Sequence, residues 1–296
     1  MKKILGLGNA LTDILLQISE GDLREIGFPK GSMNLINAEQ FEQLQTKFAS
    51  VRKKLVAGGS ASNTVATVAQ LGGKASFIGK IGNDEVGRFY HEDLLKNNVQ
   101  PQLLTSSLMS GCCIVLITPD GERTFCTYLG AAADIKAEDI RKEAFVGYDI
   151  CHVEGYLVQD HNLIRGAIRM AKELGLKVAI DLASFNVVEE NIDFLREVIS
   201  EYVDIVFANE DEAMMAYTNG VLGLHAPIKV RVSREIDGVI HTGIINATLG
   251  RLIFNEPIPQ DLGFVDRTVP GKEFDLEVDF LVGKKQLGKI IDKCIR

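Results

Sequence analysis

The sequence predicts an α/β fold: a mostly parallel sheet covered by helices on both faces, followed by a small mixed β/α segment. Up to about residue 212, short apolar runs typical of buried strands alternate with segments of helical length and periodicity. After about residue 213 this alternation stops, and strand-like runs follow one another with little helix between them. We therefore expect two parts, residues 1–212 and residues 213–296.

The first part contains the strands and helices of the predicted sheet. A pair of β-type runs around a Pro-Asp-Gly turn, residues 111–130, predicts a hairpin that stands off the sheet as a flap. The predicted strands are 2–8, 74–82, 148–157, 176–184 and 203–207, and the predicted helices are 60–72, 84–98, 161–175 and 191–202.

The second part has a different pattern. The stretches "APIKVRVS", "VIHTGIINATLG" and "RLIFN" are predicted short strands, and residues 282–296 are a predicted helix with a lysine-rich face. Three of the seven prolines of the chain lie in the loop-rich stretch between them. This change of composition and period predicts a domain boundary near residues 208–220.

Composition excludes several classes of protein. A net charge of −8 argues against a general nucleic-acid or anionic-membrane binder. No apolar stretch approaches the roughly 18–20 residues that span a bilayer, and no cleavage site follows the apolar start. The five cysteines, at 112, 113, 126, 151 and 294, form no CxxC pair. We expect reduced, mostly buried thiols in a cytoplasmic protein.

Short stretches of the sequence resemble three catalytic or nucleotide-binding motifs, but each lacks an essential part of its motif. "GLGNAL", residues 6–11, lacks the third glycine of a dinucleotide-binding loop and is better explained as a strand end. A Walker A loop is absent, because "LGGKAS" and "VPGKEF" have the wrong spacing. "HVE", residues 152–154, lacks the downstream PCxxC of zinc deaminases.

The glycine-rich string of residues 56–99 is more specific. Gly58 and Gly59 let backbone approach a ligand closely, and Ser60 or Ser62 is a candidate cap for the helix that follows. Asn63 is expected in the first turn of that helix, with both a donor and an acceptor. A capped helix followed by an ordinary strand would also explain each residue taken singly.

Several blocks in order resemble the PfkB (ribokinase-like) family of sugar and nucleoside kinases. They are "GNALTDIL", the glycine-rich string, "TPDGERTFCTYLGAA", "VEGYL" and "VDIVFANEDEA", which together cover residues 1–212. These sequence blocks are most similar to the adenosine-kinase-like branch of the family. The resemblance implies a ribokinase-like sheet with a β lid formed by residues 14–34 and 111–130.

The resemblance also implies roles for particular residues. Asp13, at the end of the first strand, would accept hydrogen bonds from a vicinal diol, and Glu154, at a later strand end, would again face the sugar. Asn209 and Glu212 match an NxxE element that organises magnesium and phosphate through water, with ATP as the phosphoryl donor. No protein side chain is expected to ligate the metal directly. The implied substrate-binding set is Asn9, Asp13, Gly58, Gly59, Asn63 and Glu154.

A kinase of this family also needs a region that the sequence lacks. No "GAGD" or close variant occurs in the chain, so the catalytic Asp base and the anion hole beside it are missing. Losing the base costs about 10²–10⁴-fold in rate, and losing anion-hole donors about 10²–10³-fold. We expect a truncated ribokinase-like sheet. We also expect that the chain has no catalytic residue and phosphorylates no substrate.

Residues 211–296 resemble a different protein, the bacterial RNA polymerase subunit β′. "DEAMMAYTNGVLGLHAPIKVRV" and the stretch from "ATLGRLIFNEP" to "GKIIDKCIR" carry this likeness, without the "NADFDGD" magnesium motif. "FANEDEA" can be read as the end of the kinase-type block and "DEAMMAY" as the start of the polymerase-type block. This overlap indicates a fusion, either by recombination in a genome or by misassembly of sequence data. An alternative is a small domain evolved to cap the kinase sheet.

These observations predict an ATP- and magnesium-dependent sugar or nucleoside kinase in a chimeric, inactive chain. The alternatives are a non-catalytic sugar- or nucleoside-binding module and a polymerase fragment that docks onto other subunits. The expected partner is a small-molecule sugar or nucleoside, with no nucleic acid and no membrane. A homodimer is left open.

Overall fold

The structure, a computed structural model, divides the chain into two compact units, Met1–Ala179 and Ile180–Arg296. The predicted boundary near 212, drawn from composition, stays a prediction. The structure describes residues 2–209, 212–213, 215–216, 219, 221, 227–236, 239–248 and 277–280, the last three ranges as backbone only.

The first unit is built on a parallel sheet in the order β10-β9-β1-β5-β6. Gly6 of β1 faces a helix, whereas its neighbours Leu5 and Leu7 point to the other face and are fully buried, as expected for a sheet covered on both faces. The strands are β1 (Lys3–Leu7), β5 (Lys74–Gly82), β6 (Val99–Ser106), β9 (Ile150–Val153) and β10 (Lys177–Asp181, which carries the unit boundary). This confirms the predicted α/β fold class.

A second sheet in this unit has five strands in the order β3-β8-β7-β2-β4. β7 and β8 are antiparallel and form the predicted hairpin, and β2 pairs parallel to β7. The lid expected from residues 14–34 and 111–130 therefore corresponds to part of a larger sheet. Its strands are β2 (Leu11–Gln17), β3 (Met33–Leu35), β4 (Lys53–Ala57), β7 (Gly111–Ile117) and β8 (Arg123–Tyr128).

Five α-helices cover these sheets. Alternate side chains of β2 and β7, such as Ile14 and Ile114, form one core with Leu23, Phe41 and Leu44 of the helices after β2 and β3. The helices are α1 (Glu20–Ile26), α2 (Ala38–Lys47), α3 (Ser60–Gln70), α4 (Glu85–Lys96) and α5 (His161–Glu173). Short 3₁₀ turns lie at Gly130–Asp134, Ala137–Asp139, Lys142–Phe145 and Gly155–Gln159.

The second unit begins with the end of β10 and two helices. Strand β11 lies beside this end, and Leu182 N–H donates to the carbonyl of Phe207 at 2.9 Å. The later strands β12 and β13 form an antiparallel pair, with β14 on the other side of β12. The elements are α6 (Phe185–Glu190), α7 (Ile192–Glu201), β11 (Ile205–Phe207), β12 (Pro227–Ile236), β13 (Val239–Thr248) and β14 (Glu277–Phe280).

Two of the three strands predicted after residue 213 are thus confirmed, as β12 and β13. The predicted strand "RLIFN" and the predicted helix 282–296 lie outside the described residues. Among the described residues, no helix is both long and apolar enough to cross a membrane.

Candidate functional site

The candidate site of the first unit lies where β1 and β9 end and α3 begins. Asn9 follows β1, Glu154 follows β9, and Gly58 and Gly59 lead into α3. The carboxyl ends of neighbouring parallel strands meet at one edge of a sheet, where α/β proteins commonly bind ligands. The structure therefore brings together four of the residues that sequence motifs singled out.

Glu154 is held by donors from two other segments. Its Oε1 accepts a hydrogen bond from Nδ2 of Asn9 at 2.6 Å, and its Oε2 accepts one from the backbone N–H of Ala61 at 3.2 Å. Glu154 is 2% exposed and Asn9 is 6% exposed. A buried carboxylate requires such donors, because an uncompensated charge is costly away from water. We call this arrangement the Glu154 clasp.

The start of α3 corrects one sequence expectation. Neither Ser60 nor Ser62 caps the helix: the N-cap residue is Gly59, which makes no side-chain cap hydrogen bond, and Ser60 is the first helical residue. The carboxylate of Glu154 instead accepts from the first turn through Ala61. A local motif could not reveal this cap, since it comes from 93 residues further along the chain.

Gly59 has a backbone conformation that other residues rarely adopt. Its φ of +92° is one that side chains disfavour, and a Cβ atom there would lie 2.4 Å from the carbonyl oxygen of Asn9. The glycine pair was expected to let backbone approach a ligand closely. The close neighbour in this structure is the backbone of Asn9.

Asp13 lies in a different place from the one expected. It is the third residue of β2, in the five-stranded sheet, and not at the end of the first strand. Its carboxylate faces Gly58, where a Cβ would lie 2.9 Å from Oδ1. Burial raises the pKa of Asp13 above its usual value of 3.8. A carboxylate kept partly from water in this way is suited to accept hydrogen bonds from a ligand.

The neighbours of Asp13 across the sheet are apolar or weakly polar. Val56 of β4 and Cys113 of β7 are its direct partners in the strand register, so their side chains share its face. Next in the row, the hydroxyl of Thr127 donates to the sulfur of Cys113 at 3.2 Å. Val56 was not singled out from the sequence, because only the pairing of β2 with β4 places it opposite Asp13.

Two further residues complete the surroundings of the glycine pair. The hydroxyl of Tyr90 donates to the carbonyl of Gly58 at 3.1 Å, and burial raises the pKa of Tyr90. Asn63 lies in the first turn of α3, as predicted, and is exposed. Its backbone N–H donates to the carbonyl of Gly59 at 2.9 Å. Tyr90 was not predicted as a site residue, because nothing in the sequence of α4 indicates a partner 32 residues away.

Asn209 and Glu212 belong to the second unit and bond each other. Asn209 donates its N–H to Oε2 of Glu212 at 2.8 Å and its Nδ2 to Oε1 at 2.6 Å, while Glu212 N–H donates back to Oδ1 at 2.9 Å. Glu212 is 5% exposed. This is the geometry of a capping box at a helix start.

The cysteines expected to be buried in the lid are buried. Cys112, Cys113 and Cys126 lie in β7 and β8, and Cys151 lies in β9. Burial raises the pKa of Cys113 to about 11 and that of each of the other three to about 12. These thiols pack as small hydrophobic side chains. Cys294 lies outside the described residues.

Comparison with known proteins gives two different likenesses. Residues 31–220 match the pfkB family of carbohydrate kinases. The structure resembles an adenosine kinase from Sinorhizobium meliloti, with a TM-score of 0.64 and 35% identity over 73% of this chain and 68% of that one. It also resembles a probable sugar kinase from Rhizobium etli CFN 42, with a TM-score of 0.65 and 32% identity over 73% of this chain and 67% of that one.

The other likeness is to a polymerase subunit. A stretch of 91 residues, 31% of this chain, is 67% identical to DNA-directed RNA polymerase subunit beta' of Acetivibrio thermocellus. The matched stretch is 8% of that subunit. The likeness of residues 211–296 to the polymerase subunit is thus borne out, and the chain combines segments similar to two unrelated proteins.

Proposed function

Because the chain belongs to the pfkB family of carbohydrate kinases, we propose that residues 1–212 are the substrate-binding portion of such a kinase and bind the vicinal hydroxyls of a nucleoside or sugar. The carboxylate of Asp13 carries this proposal, since it is half-buried against Gly58 at the entrance to α3. A carboxylate accepts two hydroxyl hydrogen bonds at once. Asn63, exposed on the first turn of α3, supplies a further donor and acceptor.

A nucleoside suits the surroundings of Asp13 better than a bare sugar does. Val56 and Cys113 flank the carboxylate on its face of the sheet, and Val56 is exposed. An apolar surface beside a hydroxyl-binding group favours a ligand with one flat, weakly polar half and one hydroxylated half. Adenosine is the first ligand to test, in line with the name of the Sinorhizobium meliloti relative.

ATP is the phosphoryl donor expected for this family, but we propose that this chain transfers no phosphate. The sequence has no GAGD turn to supply the base and the anion hole. Both carboxylate oxygens of Glu212 accept hydrogen bonds from Asn209, so in this geometry the pair would act on magnesium only through water and not as a direct ligand. The resulting activity is reversible binding without turnover.

The polymerase-like segment supports a second candidate function. Identity of 67% to a polymerase subunit over 91 residues is high enough for that segment to keep surfaces that dock onto other polymerase subunits. Under this alternative, the chain co-purifies with RNA polymerase. A chain that elutes alone and monodisperse from size exclusion in the presence of the polymerase counts against it.

Calorimetry and a coupled ADP-release assay test the main proposal. Adenosine, ribose and fructose are titrated into the full chain, and into a D13N variant as the control. We expect wild-type chain to bind adenosine most tightly, D13N to bind it weakly, and neither to release ADP above background with ATP and magnesium. Absence of binding by wild-type chain would refute the binding proposal, and ADP release would refute the inactivity.

The proposed fusion has its own test. Amplification of the gene from its source DNA across codons 200–225, followed by sequencing, reads the junction directly. A product that spans the junction establishes a genomic fusion of residues 1–212 with 213–296. Failure to obtain one, with both flanking segments amplifying separately, places the two segments in different genes.

A further inference from the structure

We propose that Glu154 is a positioning residue that acts on the substrate through α3 and does not touch the substrate itself. This inference rests on the proposed function of nucleoside or sugar binding. It departs from the expectation that Glu154 faces the sugar, and it assigns Asn9 to the same supporting role. The Glu154 clasp would hold the first turn of α3, and with it Asn63 and the glycine pair, in the geometry that a ligand needs.

Both carboxylate oxygens of Glu154 already accept hydrogen bonds from protein groups. Oε1 accepts from Asn9 and Oε2 accepts from Ala61 N–H, at 2.6 and 3.2 Å. With 2% exposure, the side chain presents almost no surface to a ligand. The position is also sterically closed, because a Cβ at Gly8 would lie 2.6 Å from Oε2. A direct contact with a sugar hydroxyl would therefore require the clasp to open.

Helix α3 receives no hydrogen bond from the side chain of its own N-cap residue. The first N–H groups of a helix lack partners within the helix, and the N-terminal end of the helix dipole favours a negative charge. Gly59, the N-cap residue, has no side chain with which to satisfy them. The carboxylate of Glu154 supplies both an acceptor and the charge. The helix is thus tied to the end of β9, which fixes where α3 begins.

Only a few residues separate the Glu154 clasp from the groups that line the candidate site. Ala61 is two residues before Asn63, whose N–H donates to the carbonyl of Gly59 at 2.9 Å. Asn9, held by the clasp, contacts Gly59 through its carbonyl oxygen. The neighbouring Gly58 faces Asp13. A displacement of Glu154 would therefore move both the helix and the turn that line the site.

An exchange of donor and acceptor tests the clasp. In E154Q, one of the two donors, Asn9 Nδ2 or Ala61 N–H, meets the amide –NH₂ of the glutamine. In N9D, two carboxylates face each other. In the double variant N9D/E154Q, the glutamine amide donates to the carboxylate introduced at position 9 and its oxygen accepts from Ala61, so the connections are restored with reversed polarity. E143Q, at an exposed glutamate, is the matched control.

Two readouts are taken on the full chain: the Kd for adenosine and the hydrogen exchange of amides 60–63. An unsatisfied buried group costs about 1–3 kcal/mol, so each single variant should raise the Kd about 5- to 150-fold and speed exchange by a similar factor. The double variant should return both values to within about threefold of wild type, because substitutions of two residues that bond each other are strongly non-additive. E143Q should change neither.

Several outcomes decide the proposal. A raised Kd in E154Q with unchanged exchange of amides 60–63 would show a direct substrate contact and overturn the proposal. A double variant that recovers neither value would show that the bond between positions 9 and 154 does not hold α3, and would overturn the proposal as well. If the single variants do not fold, recovery of a cooperative melt by the double variant supports the clasp, and an unfolded double variant overturns it. If wild-type chain binds no adenosine, ribose or fructose, the proposed function fails, while the exchange measurement still tests the clasp.

Discussion

Gly58 lies against the carboxylate of Asp13, so that a Cβ atom at position 58 would be 2.9 Å from Oδ1 and 3.1 Å from Oδ2. The two residues come from different elements, since Asp13 lies within β2 and Gly58 follows β4. Antiparallel pairing of β2 with β4 places them side by side, and Gly58 N–H donates to the carbonyl of Leu11 at 2.8 Å. The missing side chain at position 58 leaves the room in which the Asp13 carboxylate sits.

The first prediction concerns G58A. The added methyl group would push the Asp13 carboxylate aside, so we expect the Kd for adenosine to rise at least about tenfold, the loss of one charged hydrogen bond. The cost in stability should stay below about 2 kcal/mol, because a side-chain end can move more easily than backbone. G166A, in α5, where an added Cβ would meet only the Cβ of Ala137 at 3.9 Å, is the control and should leave binding unchanged. Unchanged binding by G58A would show that Asp13 does not contact the ligand.

The second prediction concerns the stability of D13N. Because burial raises the pKa of Asp13, the folded state holds this proton more tightly than the unfolded chain does. The ionised carboxylate therefore lowers stability at neutral pH, and this cost disappears as the pH falls below 3.8. We expect D13N to melt at a higher temperature than wild type at pH 7, with the difference shrinking toward pH 4. A lower Tm for D13N at pH 7 would contradict this sign.

The third prediction concerns the pH dependence of binding. Only the ionised carboxylate accepts two hydroxyl hydrogen bonds, so the affinity for adenosine should fall as the pH drops through the raised pKa of Asp13. The decline should begin at a higher pH than an ordinary aspartate would give. Titrations from pH 8 to about pH 3.5, which lies below the usual value of 3.8, measure it, and D13N serves as the control for ligand titration. A wild-type profile parallel to that of D13N would rule out Asp13 as the hydroxyl acceptor.

The fourth prediction compares two glycines with similar backbone angles. Gly59 and Gly72 have φ values of +92° and +86°, but a Cβ at Gly59 would lie 2.4 Å from the Asn9 carbonyl, whereas Gly72 has nothing within 4 Å. G72A should cost about 1–2 kcal/mol in unfolding free energy, from backbone strain alone. G59A should cost about 2–4 kcal/mol, because steric overlap adds to the strain. Denaturant titration measures both, and equal losses would show that the contact with Asn9 is unimportant.

The fifth prediction concerns thiol reactivity. Burial raises the pKa of Cys112, Cys126 and Cys151 to about 12 and that of Cys113 to about 11, so few thiolates exist at neutral pH. We expect iodoacetamide to label these four positions only after denaturation. Peptide mapping by mass spectrometry separates them from Cys294. Labelling of Cys113 in the native chain, with protection by adenosine, would place it in contact with the ligand.

Local sequence patterns predicted much of this molecule. The period of apolar residues was sufficient to predict β5, α4, α5 and α7, and the Pro-Asp-Gly turn was sufficient to predict the β7–β8 hairpin. The helices and the hairpin depend largely on contacts between residues near in sequence, which a one-dimensional pattern records, whereas β5 pairs with the distant strand β1 and was recognisable only by its own apolar residues. Asn63 belongs to the same class, because a helix that begins after a glycine pair puts it in the first turn. Only the β7–β8 part of the five-stranded sheet was predicted, since β2, β3 and β4 were not among the predicted strands.

The sequence by itself determined the family, the residue types of the site and the change of pattern near residue 212. Only the tertiary structure decided what those residues do to one another. In the structure, Asp13 lies within β2 against Gly58, and the hydroxyl of Tyr90 donates to the carbonyl of Gly58. Glu154 accepts a hydrogen bond from the first turn of a helix that begins 94 residues before it. The physical reason is that a buried polar group takes its partner from whatever segment the fold brings within about 3 Å, and that choice leaves no local trace in the sequence.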